Sequence, residues 1–149
     1  MLDSTDRLLL DCLAEDARLS LKELAARVGL SSPSVSERMK RLEERGVIRE
    51  FTVAIDPEVI GYAFQAMVRV RPMPGKLHLV EKMLRDVPEL VECDKVTGED
   101  CFIARIFACS MAHLDRILDG IAEHAETNTA VVKAQTVRRR LPPLDLGET

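Results

Sequence analysis

Between Leu21 and Leu42 the apolar positions fall into two helical stripes separated by a glycine. Leu21, Leu24, Ala25 and Val28 recur at i, i+3, i+4 and i+7, the spacing that puts four side chains on one helix face. Gly29 suits the left-handed residue just past a helix, and Ser31 and Ser32 can cap a second one with Pro33 in its first turn. Val35, Met39 and Leu42 are its inward positions, which assigns Ser34, Ser36, Glu37, Arg38, Lys40 and Arg41 to the solvent side. Upstream, Leu9, Leu10 and Leu13 mark an opening helix capped by Asp3, Ser4 or Thr5. Three helices around one small core follow, the last two forming a helix-turn-helix.

The periodicity then changes. Val47–Ile55 is rich in β-branched residues and is closed by Asp56-Pro57, which predicts a strand; the wing of a winged helix is the alternative. Phe64, Ala66, Val68 and Val70 alternate as in a half-buried strand, and Leu77, Val80, Leu84 and Val87 follow a helical rhythm. Leu90–Thr97 and Cys101–Ala108 read as two strands of a hairpin joined at Gly98-Glu99-Asp100. Leu114, Ile117, Leu118 and Ile121 mark a second helix, and Ala130–Val137 a last strand. The order βαββαβ is that of a ferredoxin-like domain. The expected class is therefore α+β: a three-helix, winged-helix-like domain over 2–63, with its helix-turn-helix at 21–40 and a linking strand at 47–55, a ferredoxin-like domain over 64–140, and a tail over 141–149.

Charge sharpens the reading of the helical hairpin. From Arg18 to Glu50 there are eight Lys and Arg against five Asp and Glu, a local charge of +3 inside a chain whose net charge is −4. Hydroxyls and backbone amides at a helix start reach phosphates and base edges, and basic side chains neutralise phosphates. A basic island is enough for the salt-dependent part of DNA binding, whereas the acidic whole excludes a histone-like coat. A charged helical hairpin facing only water is the competing reading.

At 149 residues and 46% apolar content the chain can build one or two ordinary cores without disulfide staples. No apolar run approaches the length of a spanning helix, and the Met1-Leu2-Asp3 start does not resemble a signal peptide, so a cytoplasmic protein without membrane contact is expected. Cys12, Cys93, Cys101 and Cys109 follow no metal-ligand spacing, so reduced thiols and no metal are expected. No phosphate loop, dinucleotide fingerprint, nucleophile elbow or paired-histidine motif points to catalysis. His78, His113 and His124 are isolated, and Arg138-Arg139-Arg140 reads as a solvated basic run.

From Leu2 to Gly61 the chain resembles the N-terminal domain of the Lrp/AsnC (feast/famine) transcriptional regulators. The resemblance rests on Leu2-Asp3, Asp6-Arg7, Ala17-Arg18, Glu23-Leu24-Ala25, Val28-Gly29-Leu30-Ser31, Val35, Arg38, Arg41-Leu42-Glu43, Gly46-Val47-Ile48, Ile55-Asp56-Pro57 and Gly61 in order. It implies a sequence-specific, non-enzymatic DNA-binding regulator with a ferredoxin-like effector domain. The DNA-facing set expected for it is Lys22, Ser32, Ser34, Ser36, Glu37, Arg38, Lys40 and Arg41. It also implies homodimers that assemble to tetramers or octamers, with the strand at 47–55 pairing with its partner-chain copy. One small helix-turn-helix reads too few bases alone, and a dimer presents two.

The same resemblance places an amino-acid effector site at Thr97, Gly98, Glu99, Asp100 and Cys101, where many family members carry aspartate in place of Cys101, and at Thr127, Asn128 and Thr129 before the last strand. Gly98 lets backbone amides approach a carboxylate, and Glu99 or Asp100 can meet an ammonium group. Ordinary hairpin chemistry explains the first segment equally well, and Thr and Asn satisfying their own backbone explain the second.

Overall fold

The computed structural model describes residues 2–144, and the expected tail therefore lies outside the described residues from position 145 onward. Two units separate among the described residues: residues 2–54 together with 137–144 form one, and Ile55–Thr136 the other. Residues 55–63, read from sequence with the helical domain, group with the sheet, where the Tyr62 ring lies 6.3 Å from that of Phe107.

The first unit holds three helices, α1 (Ser4–Glu15), α2 (Leu21–Val28) and α3 (Ser32–Glu44). Asp3 caps α1 by accepting from the Asp6 amide. Ser20 and Glu23 form a reciprocal capping box on α2, and these bonds hold the Glu23 carboxyl below its ordinary range. Gly29 ends α2 at φ +69°, a left-handed conformation that glycine adopts without the Cβ penalty. Ser31 caps α3, whose first turn contains Pro33. Leu9, Cys12, Leu24, Ala25 and Val35 form the core, with Leu13, Val28, Leu30 and Met39 packed around it.

No strand forms over 47–55 among the described residues; Phe51, Val53 and Ile55 are exposed there. A strand needs a partner to complete its ladder, and none of the chain's own strands pairs with this segment.

The second unit is a four-stranded antiparallel sheet of β1 (Phe64–Pro72), β2 (Leu90–Lys95), β3 (Phe102–Ala108) and β4 (Ala125–Val131), in the spatial order β2-β3-β1-β4. Helices α4 (Leu77–Asp86) and α5 (Met111–Ala122) complete the βαββαβ succession. Alternation decides the core: Ala66, Val68 and Val70 of β1 and Phe102, Ile106 and Ala108 of β3 are buried with Val80, Leu84, Leu114 and Ile121 of the helices. The opposite face carries Met67, Arg69, Arg71, Ile103, Arg105 and Phe107, none of them fully covered in the single chain.

The last strand corrects the sequence reading. It spans Ala125–Val131 rather than Ala130–Val137, because β1 supplies the partner edge and its register runs from Pro72 opposite Ala125 to Ala66 opposite Val131. Beyond Val132, whose amide donates to the Gln65 carbonyl, β1 has no ladder left to offer.

Candidate nucleic-acid interface and effector cavity

The outer stripe of α3 presents Ser36, Glu37, Lys40 and Arg41 to solvent. Lys40 is 3.6 Å from Glu44 one turn on, an exposed pair that leaves its ammonium available. Arg41 has no ion-pair partner among the described residues. Ser34 is exposed, and its hydroxyl lies 2.9 Å from that of Ser31 at the helix start, so it serves the cap before any partner. Ser32 is half-buried in the first turn of α3, and Lys22 is exposed in the first turn of α2.

Arg38 departs from the expected set. Its guanidinium turns inward, with Nη1 2.6 Å from Asp3 Oδ2 and 2.7 Å from Asp6 Oδ1. These hydrogen bonds, Asp3 first, raise the Arg38 pKa further, and the same contact holds the Asp3 carboxyl below the ordinary carboxylate range. Asp6 is buried, so the sequence reading of Arg38 as a solvent-side cation is corrected.

On the second unit, the loop between β2 and β3 bounds a shallow cavity of about 250 Å³ lined by Arg69, Arg71, Val96, Thr97, Gly98, Glu99, Asp100 and Ile103. The Val96 amide donates to the Cys101 carbonyl and closes the hairpin, and Gly98 turns it at φ +115°, which side-chain-bearing residues rarely adopt. Arg71 Nη2 lies 2.9 Å from Glu99 and 3.4 Å from Asp100, and its Nη1 is 3.7 Å from Glu126. A planar cation and two carboxylates thus face one opening.

The sequence reading missed Arg69 and Arg71, whose signal was their alternation with the buried Val68 and Val70. Cys101 does not line the cavity; its thiol lies 3.7 Å from the Glu99 carbonyl. Thr127, Asn128 and Thr129 are not a loop but part of β4, opposite Val70, Arg69 and Val68 respectively, and they do not line the cavity either. Only Asn128 shares the sheet face of the two arginines.

A second cavity, of about 260 Å³, lies between α4 and β2, where Glu81 already meets Arg85 at 2.7 Å and Lys95 at 3.2 Å. Its charges are matched internally, and partial desolvation against the cavity wall, with the Asp94 and Glu81 carboxylates nearby, pushes the pKa of the exposed Cys93 thiol up. No described helix is long and apolar enough to cross a membrane.

A basic-faced helix-turn-helix joined to a ferredoxin-like sheet with a polar cavity defines a two-domain, ligand-responsive class of DNA-binding protein. Residues 2–49 match the family described as winged helix-turn-helix DNA-binding, and residues 65–142 match the Lrp/AsnC ligand binding domain. The chain belongs to the Lrp/AsnC family of transcriptional regulators. The HTH-type transcriptional regulator LrpA of Mycobacterium tuberculosis is 35% identical over 129 residues, 86% of each chain. The structure of Bacillus subtilis LrpC superposes with a TM-score of 0.88 at 26% identity, covering 93% of this chain and 99% of that one. A feast or famine regulatory protein from M. tuberculosis, solved in complex with L-methionine, superposes at 0.86 with 30% identity, covering 95% and 99%. The protein is thus a DNA-binding transcriptional regulator and not an enzyme.

Proposed function

We propose that the outer stripe of α3 reads DNA and that the cavity under the β2–β3 loop binds an amino acid that alters that reading. Lys40, Arg41 and Lys22 supply phosphate contacts, while Ser36 and Glu37, with Ser32 at the helix start, stand where base edges are read. The observation that carries the effector reading is Arg71 held between Glu99 and Asp100 at the mouth of a 250 Å³ cavity. An α-amino acid carries one group for each: its carboxylate suits the guanidinium bidentately, and its ammonium suits the carboxylates that the guanidinium then releases. The methionine complex of the M. tuberculosis relative supports this class of ligand.

The chain acts in the cytoplasm as a homodimer or a larger assembly of dimers. The half-covered Met67, Ile103 and Phe107 on the open sheet face and the unpaired 47–55 segment are the surfaces that favour a second copy. An effector changes DNA affinity only by binding two states of the protein unequally, and we place that difference in the assembly. A thermal-shift screen against the common amino acids, followed by light scattering on each hit, tests this. At least one amino acid is expected to raise the Tm and shift the assembly; no stabilisation by any of them would defeat the effector reading.

A further inference from the structure

Position 38 lies three residues after Val35 and four before Leu42, both fully buried, so the Arg38 side chain leaves α3 on its core side. Its side chain is 24% exposed, and the Asp6 side chain that it meets is 6% exposed, the one buried charged residue among those described. Asp3 completes the arrangement with both carboxylate oxygens: Oδ1 accepts from the Asp6 amide at 2.7 Å, and Oδ2 from Arg38 at 2.6 Å. One carboxylate therefore caps α1 and holds α3 at the same time. Leu9 and Cys12 of α1 and Val35 of α3 share one apolar core with α2, and this tie adds an ion-paired link between α1 and α3.

We propose that Arg38 is a positioning residue of the DNA-reading helix: clamped by Asp3 and Asp6, it sets the angle of α3 on α1 and does not neutralise a phosphate. The cluster of one cation and two carboxylates is net negative and so does not attract the DNA backbone. Swinging Arg38 outward would strand the buried Asp6 carboxylate without a counter-ion, a costly exchange for one solvated phosphate contact. The proposal rests on the reading of α3 as the helix that meets DNA.

The carboxylate variants give the sharpest test, because the two roles predict opposite signs. Full-length wild type, Asp3→Asn, Asp6→Asn, Arg38→Met and Arg41→Gln are titrated across salt concentrations on a duplex selected by the wild type from a random library. Far-UV circular dichroism at the same temperature establishes the folded fraction. Asp3→Asn keeps the cap, since asparagine caps as well as aspartate, and is the variant whose folding is safest. The clamp predicts that Asp3→Asn, Asp6→Asn and Arg38→Met each weaken binding per folded molecule, by about tenfold for the last two, with the salt slope unchanged.

A phosphate contact predicts instead that Arg38→Met lowers the slope by about 0.9 per half-site, and that removing either carboxylate tightens binding; either result overturns the proposal. Unchanged affinity per folded molecule in all three variants would also overturn it, by reducing the tie to a stabilising contact. Arg41→Gln is expected to lower the slope. If it does not, the reading of α3 fails separately, while the sign of the Asp3→Asn effect still decides the role of Arg38.

Discussion

The guanidinium of Arg38 on α3 lies 2.7 Å from the buried carboxylate of Asp6 on α1, thirty-two residues earlier in the chain. The contact separates the basic residues of α3 into one that holds the helix and two, Lys40 and Arg41, that remain open to a partner.

DNA affinity should therefore respond differently along the outer stripe. Arg41→Ala is expected to weaken binding to all sequences and to lower the salt slope by about 0.9 for each phosphate that the arginine neutralises. Ser36→Ala should leave the slope alone and relax preference among bases by about 0.5–1.5 kcal/mol, the worth of one neutral hydrogen bond, at the position it reads. Fluorescence anisotropy on selected and random duplexes across a salt series measures both.

The helical unit should lose stability in acid through Asp3. Arg38 depresses the folded-state pKa of this carboxyl, so its contribution is fully present above the ordinary carboxylate range and is lost as pH falls through the depressed value. Wild type and Asp3→Asn are expected to differ at neutral pH, to begin converging only below about pH 4, and to converge fully once pH falls past the depressed folded-state value. Urea denaturation at several pH values checks this; a difference that grows on acidification would contradict it.

Core substitutions should cost what their burial dictates. Leu24 is 2% exposed within the small helical core, and Leu24→Ala should destabilise that unit by about 2–5 kcal/mol. In the sheet unit, fully buried Ile106→Val should cost about 0.5–1.5 kcal/mol. Calorimetry resolves the two transitions if the units unfold separately, and each variant should lower its own.

Effector response should be lost at the turn while DNA binding survives. Gly98→Val forces a β-branched residue to φ +115°, at a cost of order 1–3 kcal/mol, and so rearranges the loop that carries Glu99 and Asp100. With Asp100→Ala it is expected to abolish the thermal shift given by the productive amino acid and to leave unliganded DNA affinity within about twofold, since the interface residues are untouched. Wild-type shifts in both variants would remove this loop from the site.

Whether a feature is legible in the sequence depends on whether it is local. The caps Asp3 and Ser31, the Gly29 turn and the alternation of β1 and β3 are set by neighbours in the chain, and each is readable there. The last strand is not, because Thr127 and Thr129 are as β-branched as Val131 and Val132, and only the partner edge of β1 decides which of them pair. Arg38 is misplaced in the sequence reading because charge suggests exposure. Its spacing from Val35 and Leu42 puts it on the inner stripe, as the spacing of Asp6 from Leu9, Leu10 and Leu13 does for its partner. Opposite charges on two buried stripes are the available signal. Arg71 requires the fold itself, since nothing local connects it to a loop twenty-eight residues away.

The outer face of α3 as the DNA reader is the central claim. Salt-dependent binding of the wild type and of the Lys40→Gln, Arg41→Gln double variant to the selected duplex measures it in one experiment. The expected result is a steep linear fall of log affinity with log salt for the wild type and a slope shallower by about 1.8 per half-site in the variant. Identical slopes and affinities for the two proteins would contradict it.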